Sequence, residues 1–264
     1  MYAKIFLFTR TRAKIKKMVI ESISNSKIQL LRLIYGKNGR EDSGLFVVEG
    51  VNMVRDIPDF VEVVYYFVSD KKTELLDNWV LFPTAERVVV KDALFERIAD
   101  TKTPQGLIAV CKIPTAVDYR KLDRIMILDG VRDPGNVGTI IRTAGASGIQ
   151  GVLLFDSADP YSPKCVRSTM GGIFRVQVQE CDYSSFDWTG DVYALDMHGT
   201  DIFEEKPSDK YAIVVGNEAH GVSDYFRKRA NKTLSIPMQN NTESLNAGVS
   251  ASLSMYILEH NRRS

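Results

Sequence analysis

The chain has few of the residues that anchor disulfides, metals and redox chemistry. Its 264 residues include three cysteines, three histidines and two tryptophans. Cys111, Cys165 and Cys181 are odd in number and show no C-x-x-C spacing. That pattern points to free thiols in a reducing, cytoplasmic setting rather than to a disulfide framework or a zinc site. His198, His220 and His260 lie far apart without ligand spacing, so no metal is expected. No apolar run approaches the roughly 18 residues that a membrane helix needs, so no membrane partner is expected either. There is no P-loop and no G-x-G-x-x-G, which argues against those two nucleotide-binding designs. Internal repeats and low-complexity tracts are also missing.

Net charge is nearly absent as well, at +1, but it is unevenly placed. Residues 1–40 carry ten Lys/Arg against the single acid Glu21, a local +9, and the remaining 224 residues sum to −8. A basic arm on a slightly acidic body suits a phosphate backbone. For residues 1–17 the alternatives stay open: a solvated terminus, an amphipathic leader, or a segment before a true start at Met18. Lys27, Arg32, Lys37 and Arg40 lie on or after an expected helix, which makes them the better candidates for RNA contacts. The hydrophobic fraction of 44% and charged fraction of 25% are those of a globular protein with a real core.

Pattern reading gives alternating strands and helices throughout. Residues 26–35 place Ile28, Leu31 and Ile34 on one helical face, and Gly36 is set to end it. Strands are expected at 45–48, 61–68, 87–90 and 107–111, and helices at 51–57, 71–78 and 91–99. This makes a small N-terminal α/β domain over 24–111, preceded by a basic extension over 1–23. Residues 112–122, with Pro114 and no periodicity, read as a linker. The rest, 123–264, reads as a second α/β domain. Its apolar, β-branched strands (125–128, 152–155, 191–195, 212–215 and 234–236) indicate a mostly parallel sheet with helices on both faces. Helices are expected at 136–147, at 162–170 and from Ser244 onward. Leu245, Val249, Leu253 and Tyr256/Ile257 mark one face of that last helix, and small residues fill the remainder.

Ligands of parallel sheets sit beyond the carboxyl ends of the strands. The segments following the strands are therefore the site candidates: 129–138, 196–199, 216–221 and 237–246. Asn136 is placed to cap a helix. Arg142, six residues on, is either a surface arginine or a planar fork for a phosphate. Glu218, between Gly216 and Gly221, is either a turn residue or a carboxylate aimed at a ligand. The glycines allow close backbone approach to a flat molecule.

Asn136-x-Gly138-xxx-Arg142, Gly216-x-Glu218-xx-Gly221 and Ile236-Pro237-Met238 with Ser244-Leu245-Asn246 occur in order. Together they resemble the three-motif signature of the SpoU (TrmH-like) family of SPOUT-superfamily RNA ribose 2′-O-methyltransferases. The N-terminal half, with residues 46–50 and 103–106, resembles the L30e-like substrate-binding domain of many rRNA-modifying members. One departure is Asn240, where the family's third motif carries glycine.

The resemblance implies a trefoil-knotted catalytic domain, S-adenosylmethionine as cofactor, a homodimer and an RNA substrate, with ribosomal RNA of the large subunit favoured over tRNA. It places Leu195, Met197, Gly216, Asn217, Gly221, Ile236, Met238 and Leu245 around the cofactor. It assigns catalytic roles to Asn136, Arg142, Glu218, Ser244 and Asn246. Arg142 is the family's proposed proton acceptor. Because a guanidinium holds its proton, a phosphate clamp is the better role. Asn136, Ser244 and Asn246 would orient ribose and cofactor, and Glu218 would fix the loop or the partner's arginine. Two other expectations stay open: a catalytically inactive RNA-binding protein of ribosome assembly, and a tRNA 2′-O-methyltransferase.

Overall fold

The computed structural model describes residues 18–77, 84–240 and 244–264. The basic leader 1–17, the end of the helix expected at 71–78 and part of the loop before the last helix lie outside these residues. Among the described residues the strands form two sheets. The first holds β1 (Val19–Ile20), β2 (Leu45–Glu49), β3 (Val63–Ser69), β4 (Glu86–Val90) and β5 (Leu107–Lys112) in the order β1-β4-β3-β5-β2. The β3/β4 and β1/β4 pairs are parallel, whereas β5 runs antiparallel to both neighbours. Helices α1 (Ser26–Ile34), α2 (Lys37–Ser43), α3 (Val51–Arg55), α4 (Glu74–Asp77) and α5 (Asp92–Ile98) accompany it. Asn25 opens α1 by accepting from the Lys27 backbone N–H at 3.0 Å, and Ile28, Leu31 and Ile34 are fully buried.

The second sheet is parallel throughout. It comprises β6 (Arg124–Asp129), β7 (Gly151–Phe155), β8 (Gln177–Glu180), β9 (Asp191–Asp201), β10 (Tyr211–Gly216) and β11 (Lys232–Ser235), in the order β11-β9-β10-β6-β7-β8. Its helices are α6 (Pro134–Ser147), α7 (Pro163–Ser168), α8 (Asp224–Arg227) and α9 (Ala247–Arg263). The expectation of a mostly parallel sheet is met. Ile125, Ile127, Val152, Ala212 and Val214 are buried, as strands covered on both faces require. Each of these valines and isoleucines contributes roughly 1.5–3 kcal/mol by leaving water. Gly216 pairs with Asp129 in register, so the ends of β10 and β6 are level.

Several boundaries differ from the pattern reading. The edge strands β1 and β8 were not anticipated, because β1 is only two residues long and β8, QVQE, has a single apolar residue. Helix α2 escapes for the same reason, since KNGREDS has no apolar residue. Lys112 belongs to β5, and the linker contains a 3-10 turn at Tyr119–Lys121. Helix α7 stops at Ser168 because Met170 and Gly171 take positive φ angles of 47° and 84°.

The last helix starts later than expected. It begins at Ala247, with Asn246 as its cap, so Ser244 stands in the loop before it. Its apolar stripe also faces outward: Val249, Leu253 and Tyr256 are 44%, 41% and 53% exposed, whereas Ala247, Gly248, Ala251 and Ser254 are buried. Small residues take the inner face because α9 lies close against α6, where a Cβ on Gly248 would meet Asn136 Oδ1 at 3.3 Å.

The two sheets share one hydrophobic cluster, running from Phe46 and Val48 to Met126, Ile140 and Leu258. Phe46 of β2 packs in tilted geometry on Tyr161 and Phe174, with ring centroids 5.1 and 6.3 Å away. Arg167 of α7 reaches Asp100 of the first half at 2.6 Å.

Candidate active site

Helix α6 begins with Asp-Pro. Pro134 needs no backbone donor at the first helical position, and Asp133 accepts from the Asn136 N–H at 2.9 Å. Lys164, 3.0 Å away, and this N–H hold the Asp133 carboxyl below its usual range. Asp133 therefore takes the capping role that the sequence pattern allowed to Asn136. The signal was present in the Asp-Pro pair itself. With the cap filled, the Asn136 side chain is free to reach outward.

It joins two other segments. Asn136 Nδ2 donates to Glu218 Oε1 at 2.6 Å, and Asn136 Oδ1 accepts from Asn246 Nδ2 at 3.0 Å. Asn246 Oδ1 in turn accepts from the N–H groups of Gly248 and Val249 at 2.9 and 3.3 Å, at the positive end of α9. Three residues spread over 110 positions of sequence thus form one hydrogen-bonded chain. Each amide is oriented by its partner, so Asn136 and Asn246 have fixed donor and acceptor directions.

The loop after β10 is a tight return. Asn217 and Gly221 exchange backbone hydrogen bonds at 2.8 and 3.1 Å. A Cβ on Gly216 would lie 2.0 Å from the Gly221 carbonyl carbon, so no side chain fits there. Gly221 has φ +68°, where glycine costs nothing. Asn217 fastens the loop to the end of β6 by donating to the Gly130 carbonyl at 2.8 Å. Asp129 accepts from the Ser223 N–H and from the Tyr183 hydroxyl, both at 2.6 Å. Burial and this carboxylate push the Tyr183 hydroxyl up, keeping it a donor.

These loops enclose a cleft of about 670 Å³. Leu195, Met197, Gly216, Asn217, Gly221, Ile236, Met238 and Leu245 all line it, as do Glu218, Ser244 and Asn246. Leu195, Ile236, Met238 and Leu245 are part-buried and supply an apolar wall. Among the described residues the Ser244 hydroxyl has no hydrogen-bond partner. Asn240, in the departing motif position, adopts φ +57°, the left-handed turn that glycine serves elsewhere.

Sequence reading did not single out Arg227, which also lines the cleft. It donates from Nε to the Val222 carbonyl at 2.7 Å and pairs with Asp196 at 2.9 Å. A lone arginine in a short helix carries no pattern that would have revealed this.

Arg142 is placed differently. It is exposed on α6, does not line the cleft, and has no hydrogen-bond or ion-pair partner among the described residues. The four N-terminal cations also separate. Arg32 is exposed and has no partner among the described residues; Lys27 meets Glu86; Lys37 lies 3.6 Å from both Glu41 and Glu180. Arg40 is 5% exposed, donates to the Ile34 and Tyr35 carbonyls, and holds Asp159 at 2.9 Å through Nε. It is an internal strut between the halves, unlike the surface contact that the sequence suggested. Cys111, Cys165 and Cys181 are free thiols, and burial pushes the Cys165 and Cys181 thiols up to about 12 and 11. Among the described residues no three His, Cys, Asp or Glu side chains form a metal cluster, and no helix is long and apolar enough to cross a membrane.

Residues 123–256 match the SpoU rRNA Methylase family, and residues 25–109 match the MRM3-like substrate binding domain. A 23S rRNA (guanosine(2553)-2′-O)-methyltransferase, RlmP, of Bacillus subtilis is 29% identical over 246 residues, covering 90% of this chain and 98% of that protein. A 23S rRNA (uridine(2479)-2′-O)-methyltransferase of Streptomyces viridochromogenes is 29% identical, covering 88% of each. Among solved structures, the SpoU methyltransferase AviRb of Streptomyces viridochromogenes in complex with AdoMet superposes with a TM-score of 0.79. It is 25% identical and covers 91% of this chain and 99% of that one.

Proposed function

Because the chain belongs to the SpoU rRNA methylase family, we propose that it is an S-adenosylmethionine-dependent methyltransferase acting on a ribose 2′-hydroxyl of large-subunit ribosomal RNA. The observation that carries this reading is the Glu218–Asn136–Asn246 chain at the rim of a cleft with an apolar wall. The rRNA substrate is supported by the relatives' activities and by the matched substrate-binding domain.

The cleft fits the cofactor by its chemistry. Leu195, Ile236, Met238 and Leu245 offer an adenine an apolar slot, with the backbone of the 216–221 loop beside it. A Cβ on Gly221 would meet only the Arg227 guanidinium, at 3.2 Å, so the loop presents bare backbone to the ligand. When bound, S-adenosylmethionine supplies an electrophilic methyl group on a sulfonium. The protein's own work is positioning. Asn136 and Asn246, held in fixed amide orientations, orient the ribose. The unpaired Ser244 hydroxyl donates to ribose or cofactor from the loop before α9. Glu218 fixes the loop and presents its second oxygen to an arginine. Arg142 clamps the phosphate beside the target ribose, and that phosphate takes the departing hydroxyl proton.

Arg142 lies outside its own subunit's cleft, so the reading includes a second copy of the chain. The outward stripe of Val249, Leu253 and Tyr256 on α9, beside α6, is the surface for it. Arg142 of the partner subunit then completes the site. The family's trefoil threading belongs to the same reading. So does the division into a basic extension (1–23), a substrate-binding domain (24–111), a linker (112–122) and a catalytic domain (123–264), with action in the cytoplasm where ribosomes form. Among the N-terminal cations Arg32 is the open contact, with Lys27 and Lys37 available by exchanging carboxylate partners for phosphates. The test is transfer of labelled methyl from S-adenosylmethionine to unmodified large-subunit rRNA, followed by nucleoside analysis. A single 2′-O-methylated nucleoside supports the assignment. Cofactor and RNA binding without transfer would leave an inactive RNA-binding protein.

A further inference from the structure

We propose that Arg175 is a second phosphate-binding arginine, gripping the RNA strand next to the phosphate held by Arg142. This rests on the reading of the protein as an RNA methyltransferase and adds a substrate contact to it. The observation is a reciprocal packing of two glycines. A 3-10 turn, Gly172–Phe174, lies backbone-close on α6. A Cβ on Gly172 would sit 2.7 Å from the Arg142 Cα, and one on Gly145 would sit 3.2 Å from the Arg175 Cβ. Gly145 follows Arg142 by three residues and Arg175 follows Gly172 by three. Residues three apart on a helix are neighbours, with about 5–6 Å between their Cβ positions. The two arginine stems therefore leave the surface within about one helical turn of each other.

Both arginines are exposed, and neither has a hydrogen-bond or ion-pair partner among the described residues. Other cations nearby do: Lys164 holds Asp133 and Arg167 holds Asp100. Two adjacent guanidinium groups, neither held by a carboxylate among the described residues, suit an extended anion. Two planar forks side by side match successive phosphates of one strand better than one small ion. Neither residue lines the cleft of its own chain, so the pair stands outside that subunit's methyl-donor pocket.

The backbone carrying Arg175 is held firmly. Met170 and Gly171 turn the chain with positive φ, and Thr169 is buried, its hydroxyl donating to the Val166 carbonyl at 2.6 Å. Ile173 and Phe174 are buried, and Phe174 packs on Phe46 of the first sheet. A cation on so rigid a turn loses little freedom on binding.

The test compares wild type, Arg175→Gln and Arg175→Lys as full-length chains. It measures binding of a large-subunit rRNA fragment across a salt series, S-adenosylmethionine affinity by calorimetry, and mass by light scattering. Arg175→Gln is expected to weaken RNA binding about tenfold, to lower the salt slope by about one, and to raise the KM for RNA. Cofactor affinity and mass stay at wild-type values. Arg175→Lys is expected to restore the slope but only part of the affinity. An unchanged slope in Arg175→Gln overturns the proposal, as does a loss of RNA binding that tracks a change in mass. If wild type binds RNA but transfers no methyl, the functional reading fails while the salt slope still judges Arg175. If wild type is active and the slope is unmoved, only this proposal fails.

Discussion

The two halves of the molecule use their polar side chains in opposite ways. In the second half, residues within β9 and after β10 and β11 line a common cleft, Asn136 from the segment after β6 bonds to two of them at its rim, and Ser244 keeps its hydroxyl free of partners among the described residues. In the first half, the basic residues that looked most available are largely satisfied by the protein. Arg40 is buried, and Lys27 and Lys37 face carboxylates. The difference teaches that position along a parallel strand predicts which residues meet at a cleft better than charge predicts which cations stay unpaired. A strand end has a fixed direction, whereas a long cation goes to whichever acid the fold brings near.

The sharpest way to break this contrast is Asn136→Ala. It cuts the link between Glu218 and Asn246 at the rim of the cleft. Methyl transfer at saturating rRNA should fall by about 100-fold or more, as expected when reacting groups lose orientation. Rates near wild type would mean that the strand-end chain is only structural.

On the other side, Arg40→Ala should act on stability. It leaves the part-buried Asp159 without its cation, which costs up to about 3–5 kcal/mol. Thermal unfolding checks this, and the pair Arg40→Met with Asp159→Leu should recover most of the loss. A small effect of Arg40→Ala on unfolding, with a large one on RNA affinity, would return Arg40 to the substrate surface.

Asn240 sharpens the comparison from within the cleft. The sequence shows a departure from glycine there, and the backbone takes the left-handed angle regardless. Asn240→Gly should change cofactor affinity by less than about threefold. Asn240→Val should cost about 1–3 kcal/mol of loop strain and weaken cofactor binding accordingly. Calorimetry distinguishes these outcomes from a position that tolerates any residue.

The smallest effect concerns Glu259, a buried carboxylate far from the cleft that shows the second half also builds internal struts. Burial would raise its pKa, but hydrogen bonds from Arg262 and Tyr211 and the charge of Arg124 outweigh it and hold the group below its usual range. Its folded pKa therefore lies under the unfolded value of about 4.3. The stability it contributes is present above that pH and is lost as pH falls through the folded pKa. Glu259→Gln should flatten the acid side of the unfolding profile. A profile unchanged in shape would remove Glu259 from acid unfolding.

The fold was legible where a period or a motif was long enough to read. The parallel sheet followed from its apolar β-branched strands. Of the four segments expected after strands, 216–221 and 237–246 line the cleft, 196–199 lines it from inside β9, which runs on to Asp201, and 129–138 meets it only through Asn136 at the rim. What stayed hidden depends on distant partners. The Arg40–Asp159 contact spans 119 residues. The outward face of α9 could not be read from periodicity, because Val249, Leu253 and Tyr256 look like a core stripe until Gly248 and Ala251 are seen against α6. Local hydrophobic pattern tells which residues share a face. Only the packing distance tells which face goes inside.

Calorimetric titration of S-adenosylmethionine into the wild-type chain tests the central claim most directly. One saturable site per chain, competed by S-adenosylhomocysteine and weakened in Ile236→Asp while the fold persists, is the predicted result. No binding by the folded wild-type chain, or binding undisturbed by a charge at Ile236, would contradict it.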